Sequence, residues 1–269
     1  MSKPGDIDNA IIIKLGGRVA SEHDLLTALG ADLYHSYAGR AILVHGGGAE
    51  ASAWCTRLGL EPRFIDGVRQ TTPEEMEIVE MVLAGKVNTA VVRTLEHAGA
   101  RAVGLSLADG GLCTGYPIGD PAINRTAKPG PVDARIIRHL LSGGAIPVLS
   151  SIASFADGGA CNINADDAAL ALGEGMKAET LVFLSDIPGV TEGDFVHRTL
   201  DREHSEALIE KGVISGGMTA KVRSALAAVD AGVGAVVIGE YRDAGDIEGL
   251  IEGRNGTRII GSGGEHESE

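Results

Sequence analysis

The chain has 269 residues, enough for one large α/β domain or two joined lobes. Its net charge is −14 and aromatic residues make up only 3%, which argues against nucleic acid, acidic membrane surfaces and stacked bases as partners. Apolar residues reach 44%, enough for an aliphatic core, and three cysteines (Cys55, Cys113, Cys161) without metal-ligand spacing read as reduced thiols of a cytoplasmic protein.

Residues 1–6 lack the apolar stretch of a signal peptide, and no apolar run approaches membrane-spanning length. The first strand is expected over 10–15. It runs into Gly16-Gly17, with Lys14 beside the turn. A helix over 23–33 leads to a second strand, 41–45, that ends in Gly46-Gly47-Gly48. A strand ending in glycines exposes backbone N–H groups with no side chain in the way, a cradle for phosphate or carboxylate oxygens. Two such cradles, one with a lysine, predict a site that holds two anions close together.

A helix over 50–58 follows. At 63–72 the pattern breaks, and Asp66-Gly67 between β-formers predicts a hairpin. A long helix is expected over 73–98 and a strand over 101–107. The stretch 113–131, rich in Pro, Gly and Asn, reads as another hairpin or loop. Then come a helix over 133–141 and a strand over 146–152. In Asn162-Ile163-Asn164-Ala165-Asp166, the two asparagines alternate onto one face of an extended segment. Asp166 is expected to begin or cap a helix over 165–173, with an Asx-turn as the simpler reading. The functional reading is that the amides bind a polar substrate while Asp166 holds lysines in place by charge.

A lobe boundary is expected near 173–178. The strand 181–185 ends at Asp186, and Pro188-Gly189 turns the chain. After a helix over 205–211, Gly216-Gly217-Met218-Thr219-Ala220-Lys221 opens a helix over 219–231. Glycines at a helix N-terminus admit phosphate. Lys221, placed on the first turn against the helix dipole, is explained by such a phosphate. A strand over 235–238 closes the pattern, and the tail 261–269 is expected to be disordered.

Strand–helix alternation predicts an α/β fold with a mainly parallel sheet, covered on both faces, that binds ligands at its carboxyl edge. Gly-x-x-x-x-Gly-Lys-Ser/Thr is absent, which excludes the common P-loop. Gly-x-Gly-x-x-Gly followed by a distant acidic residue is also absent, which weakens a dinucleotide-dependent oxidoreductase.

Nine motifs in order carry a resemblance: Lys14-Leu-Gly-Gly, Val44-His-Gly-Gly-Gly, Asp66-Gly-Val-Arg69, Met81-Val-Leu-Ala-Gly-Lys-Val-Asn88, Ala102-Val-Gly-Leu-Ser106, Asn162-Ile-Asn-Ala-Asp166, Leu184-Ser-Asp186, Gly216-Gly-Met-Thr-Ala-Lys221 and Gly256-Thr257-Arg258. From about residue 10 to 260 the chain resembles the amino acid kinase family, and within it the acetylglutamate kinases. The resemblance implies an open, mainly parallel eight-stranded sheet sandwiched between helices, a three-layer αβα arrangement. An N-terminal lobe (1–177) would bind the acylated amino acid and form a homodimer. A C-terminal lobe (178–260) would bind ATP. The implied reaction moves the γ-phosphoryl of MgATP to the side-chain carboxylate of N-acetyl-L-glutamate, the second step of arginine biosynthesis.

By the same resemblance Lys14 and Lys221 flank the transferring phosphoryl group, Asp166 orients both, and Gly17 and Gly48 donate N–H bonds to it. Gly47, Gly48, Arg69 and Asn162 hold the acid, with Arg69 clamping its α-carboxylate. Gly16, Gly17, Asp186, Gly216, Gly217, Met218 and Lys221 hold the nucleotide. Mg²⁺ is held by phosphates and water, with no protein ligand assigned. The chain departs from the family at Ala108-Asp109 and through 113–131, which leaves the acyl group open between acetyl and succinyl. A kinase for another small acid or a nucleotide is a further alternative. A catalytically silent ligand-binding subunit is the alternative from another class; it would have lost a lysine or Asp166, and all three are present. The first strand begins too early for the additional N-terminal helix of arginine-inhibited hexameric relatives, so an arginine-insensitive homodimer is expected.

Overall fold

A computed structural model describes residues 9–65 and 68–261. In chain order its first half contains β1 (Ile11–Leu15), α1 (Gly17–Ser21), α2 (His23–Tyr37), β2 (Ala41–His45), α3 (Gly48–Arg57), β3 (Arg63–Ile65), β4 (Val68–Gln70) and α4 (Pro73–Glu80). A π-helical segment (Met81–Val87) continues into α5 (Asn88–His97). There follow β5 (Ala102–Ser106), β6 (Cys113–Pro117), β7 (Thr126–Val132), α6 (Arg135–Ser142), β8 (Ile146–Ser150), β9 (Ile152–Ser154) and β10 (Ala160–Ile163). The second half holds α7 (Ala165–Met176), β11 (Thr180–Ser185), β12 (Thr191–Glu192), β13 (Phe195–Val196) and β14 (Thr199–Leu200). It ends with α8 (Arg202–Glu210), α9 (Gly217–Asp230), β15 (Ala235–Glu240), α10 (Asp246–Ile251) and β16 (Thr257–Ile259).

Eight strands form one sheet in the order β14-β16-β15-β11-β1-β2-β8-β5. All neighbours run parallel except β15 and β16. The central strands are apolar along most of their length because both faces are covered, with polar residues such as Lys14, His45 and Ser185 at their ends. Their residues divide by the two-residue period of a strand. Ile12, Ile42, Val44, Phe183 and Ile238 enter one core, while Ile11, Ile13, Leu43, Val182 and Val237 enter the other. The result is the expected three-layer αβα arrangement. β1 pairs with β2 on one side and β11 on the other, so the segments before and after residue 177 share one sheet. Parallel β1, β2 and β11 bring Gly16, Gly46 and Asp186 to one edge.

Three differences from the sequence reading have local causes, and the hairpin expected over 113–131 is present. The strand expected over 146–152 breaks at Ser151: β8 pairs in the large sheet, and the chain then leaves it so that β9 pairs with β10. β9, β10 and the antiparallel pair β6–β7 close a small barrel, so 113–131 is a hairpin with a structural role. Gly115 is required there, since a Cβ would lie 2.4 Å from Cys161 Sγ. The helix over 73–98 is continuous but carries a π-helical middle. Finally, α9 begins at Gly217, because Gly216 (φ 57°, ψ −135°) takes a conformation open to glycine and starts the helix early. Lys221 therefore stands in the second turn, not the first. The Asp66-Gly67 turn and residues 262–269 of the expected tail lie outside the described residues. The flanking strands pair Ile65 with Val68, the register of a two-residue hairpin.

Candidate active site

The two glycine turns form the floor of a cavity of about 600 Å³, which Lys14, Arg69, Asn162 and Asp166 also line. Each glycine has a separate reason. A Cβ on Gly16 would lie 2.5 Å from Leu184 O, so the first turn needs glycine to pack against β11. A Cβ on Gly17 would meet no atom within 4 Å. Gly47 has φ 141°, and its Cβ would sit 2.7 Å from Leu83 Cδ2. Gly48 is the first residue of α3, whose leading N–H groups have no carbonyl partner inside the helix. Those donors and the positive end of the helix dipole favour an anion there.

Three charged side chains meet at the mouth of these turns. Lys14 Nζ lies 2.8 Å from Asp166 Oδ1, and Lys221 Nζ lies 3.7 Å from Asp166 Oδ2. The Lys221 ammonium also sits 5.4 Å from the centroid of the Phe183 ring. None of the three is more than one-third exposed, so solvent screens them only in part. Asp166 is free for this task because it does not cap its helix. Asn164 does: its backbone is extended and its side chain accepts from Asp166 N at 2.8 Å. This corrects the capping role expected of Asp166, while Asn162 and Asn164 both line the cavity. Asn162 sits in β10 and donates to Thr71 Oγ1 at 2.9 Å, which fixes its amide.

Arg69 is buried in β4. Its Nη2 donates to Gly48 O at 3.2 Å and to Ser52 Oγ. Its Nη1 stands 3.6 Å from Glu75 Oε1 and makes no hydrogen bond. At that distance the Glu75 carboxylate neutralises the buried guanidinium without a hydrogen bond to it. Thr126 Oγ1 donates to Arg69 O at 2.7 Å, tying this strand to the barrel. At the rim, Lys86 lies 2.5 Å from Glu50 Oε1, and that hydrogen bond is the main cause that lowers the pKa of the Glu50 carboxyl.

Asp186, Gly216, Gly217 and Met218 do not line this cavity. Asp186 lies at the carboxyl end of β11, 3.8 Å from Arg18 Nε, and Gly216–Met218 open α9. Lys221 connects that second region to the cavity through Asp166. Among the described residues, no group of three or more His, Cys, Asp or Glu is placed to hold a metal ion, and no helix is long and apolar enough to cross a membrane.

The amino acid kinase family matches residues 9–240. This chain belongs to that family. An acetylglutamate kinase of Synechococcus sp. (strain RCC307) is 38% identical over 260 residues, 94% of this chain and 88% of that relative. The solved structure of smu.665 from Streptococcus mutans UA159 superposes with a TM-score of 0.77 at 25% identity, over 94% of this chain and 99% of the other. A carbamate kinase from Giardia lamblia bound to AMP-PNP shares the fold at a TM-score of 0.69 and 16% identity, over 94% of this chain and 99% of the other.

Within this amino acid kinase site the sequence reading missed Arg18, Ser52 and Glu75. Glu75 carried a readable signal: Thr72 and Glu75 form a capping box at the start of α4, which places Glu75 beside β4. Arg18 carried none, because its partner Glu240 is 222 positions away.

Proposed function

We propose that the chain transfers the γ-phosphoryl group of ATP to the side-chain carboxylate of N-acetyl-L-glutamate, giving N-acetyl-L-glutamyl 5-phosphate in arginine biosynthesis. One observation carries the reading. Two lysines converge on one carboxylate beside two glycine turns, and a buried arginine lines the same cavity. Relatives named acetylglutamate kinase, 35–38% identical over nearly the whole chain, support the choice of acid.

The acceptor carboxylate has a pKa of about 4.3 and is ionised at neutral pH, so the reaction requires no general base. The obstacle is bringing two anions together. Two unit charges at ~4 Å oppose each other by ~4 kcal/mol at an effective dielectric near 20. Lys14 and Lys221 offset that repulsion from either side of the phosphoryl group, and Lys221 follows the charge toward the leaving ADP. Asp166 offsets the repulsion between the two ammonium groups and keeps them aimed. The N–H groups of Gly17 and Gly48 stabilise the equatorial oxygens, so catalysis is alignment plus charge neutralisation.

Arg69 receives the α-carboxylate of the acid, and Asn162 with Gly47 holds its amide end. Gly16 from the first turn, with Asp186 and Gly216–Met218 on the C-terminal lobe from residue 178, holds the nucleotide. Mg²⁺ would supply charge neutralisation on the triphosphate, with no protein ligand assigned to it.

A homodimer is part of the reading. β5 is the last strand of the sheet and none of its residues is fully buried, although the side chains of Glu96 and Asp109 accept from its Ala102 and Ser106 N–H groups. Light scattering on the eluting protein tests it, and a monomer mass would refute it.

The deciding experiment is ADP release measured with N-acetylglutamate, N-succinylglutamate, glutamate, aspartate, carbamate and UMP. Turnover with N-acetylglutamate above all others is expected. Preference for the succinyl compound would move the acyl assignment, and no turnover with either acylglutamate would refute the reading.

A further inference from the structure

We propose that His45 is a positioning residue: held by Asn88, it locks the carbonyl of Gly46 and thereby aims the N–H of Gly47 into the reaction cavity. The role rests on the kinase reading of that cavity.

His45 is the last residue of β2 and has no exposed surface. It is absent from the cavity lining, although the three glycines after it are all present there. Its Nδ1 lies 2.8 Å from Gly46 O. A carbonyl oxygen only accepts, so Nδ1 carries the proton. Nε2 must then accept, and Asn88 Nδ2 lies 3.0 Å from it. The Asn88 amide is itself fixed in the required sense. Its Nδ2 also donates to Val148 O at 2.9 Å, and its Oδ1 occupies the space where a Cβ on Gly104 would sit, 2.1 Å away. Gly104 is therefore a glycine because Asn88 needs the room. Burial pushes the imidazole pKa down, which keeps the ring neutral and Nε2 able to accept.

The consequence for the turn follows from peptide geometry. In a planar trans peptide the C=O and the next N–H point in opposite directions. With Gly46 O turned toward the buried ring, the N–H of Gly47 faces away from it, to the cavity side. The other constraint on this turn comes from the same stretch of chain. Leu83 and Val87, in the π-helical segment directly before Asn88, pack where a Gly47 side chain would be. One helix thus holds the turn twice, by contact on Gly47 and by hydrogen bond through His45. A π-helical segment shifts the register of the residues that follow it, which sets where Asn88 falls.

The test has two arms. In the wild-type protein, nitrogen-detected NMR of the imidazole reads the tautomer without any activity measurement. A neutral ring protonated at Nδ1 is expected, and a ring protonated at Nε2 would overturn the proposal. In the second arm, His45→Leu is compared with His45→Asn, whose Nδ2 falls near the position of Nδ1 and keeps the donor to Gly46 O. His45→Leu frees the Gly46–Gly47 peptide and with it the neighbouring Gly48 N–H assigned to the phosphoryl group, so kcat should fall about 100-fold, the KM for the acid should rise through Gly47, and the KM for ATP should stay within about 3-fold of wild type. His45→Asn should recover at least about 10-fold of that loss. Equal kcat in the two variants, with both folded by circular dichroism, would refute the positioning role. Absence of turnover in the wild-type protein would instead refute the kinase reading and leave the tautomer result standing.

Discussion

Arg18 donates to Glu240 at 3.0 Å, and the same guanidinium donates to Tyr241 O at 2.9 Å and faces Asp186 at 3.8 Å. Arg18 stands two residues past Gly16, so the first glycine turn is tied to the carboxyl ends of β15 and β11. Those ends are where the nucleotide is proposed to sit. Arg18→Met should raise the KM for ATP about 5- to 10-fold and leave the KM for the acid within about 2-fold. The side chain is about one-third exposed, so the stability loss should stay near 1 kcal/mol or below. Steady-state kinetics with each substrate varied in turn checks the split, and equal changes in both KM values would count against it.

Asp166→Asn keeps the shape of the side chain and removes the charge on which Lys14 and Lys221 converge. Two unneutralised ammonium groups then repel, and their aim at the phosphoryl group is lost. The expected result is a fall in kcat of about 100-fold or more, with ATP binding by calorimetry weakened far less. Lys14→Ala should behave in the same direction. Wild-type turnover in either variant would remove it from the catalytic set.

The architecture was legible because the sheet is buried on both faces: runs such as Ile11-Ile12-Ile13 admit no other reading at that length, and glycines mark where each strand stops. Lys14, Asp166 and Lys221 were legible as charges beside those glycines. What failed was local. Asn164 and Asp166 are equally good capping residues by type, and only the backbone shows that Asn164 takes the cap. Ser151 gave no sign that an apolar run would divide between a sheet and a barrel. The partners of Arg18 and His45 come together only through the crossovers of the sheet, and no spacing rule reaches that far.

Gly16 and Gly17 are adjacent and should respond oppositely to alanine. At Gly16 the new Cβ would lie 2.5 Å from a backbone oxygen of β11, so the turn must shift and stability should fall by about 1–3 kcal/mol. At Gly17 the Cβ would meet nothing within 4 Å, so the melting temperature should hold while the methyl group intrudes where the phosphoryl oxygens approach. Thermal melts paired with kcat separate the two. A Gly17→Ala protein with full activity would mean that the phosphoryl oxygens do not approach over the Gly17 Cα.

Arg69 and Glu75 are buried charges 3.6 Å apart, so either single truncation leaves the other unpaired. Arg69→Met should therefore cost stability, on the order of 3 kcal/mol, as well as raising the KM for the acid about 100-fold. Arg69→Met combined with Glu75→Gln should recover much of the stability and none of the KM. A denaturant cycle with kinetics on all four proteins tests this. Recovery of KM in the double variant would place the arginine's role in folding alone.

His45 also predicts a pH dependence of stability with a definite sign. In the unfolded chain its pKa is about 6.5, and burial lowers it in the fold. Below about pH 6.5 the unfolded state therefore binds more protons than the folded state, and stability falls as pH drops toward the depressed folded value. Above about pH 6.5 both states are neutral at this site and it contributes no slope. The maximum slope from one group is about 1.4 kcal/mol per pH unit. Other histidines and the carboxylates add their own slopes, so the measurement is a difference. Wild type and His45→Asn are unfolded in urea between pH 5 and 8. The gap between their stabilities should narrow in favour of His45→Asn as pH falls below 6.5 and stay constant above it. Parallel curves across the whole range would show that His45 is protonated in the fold as readily as outside it, and would contradict a ring whose Nε2 must accept from Asn88.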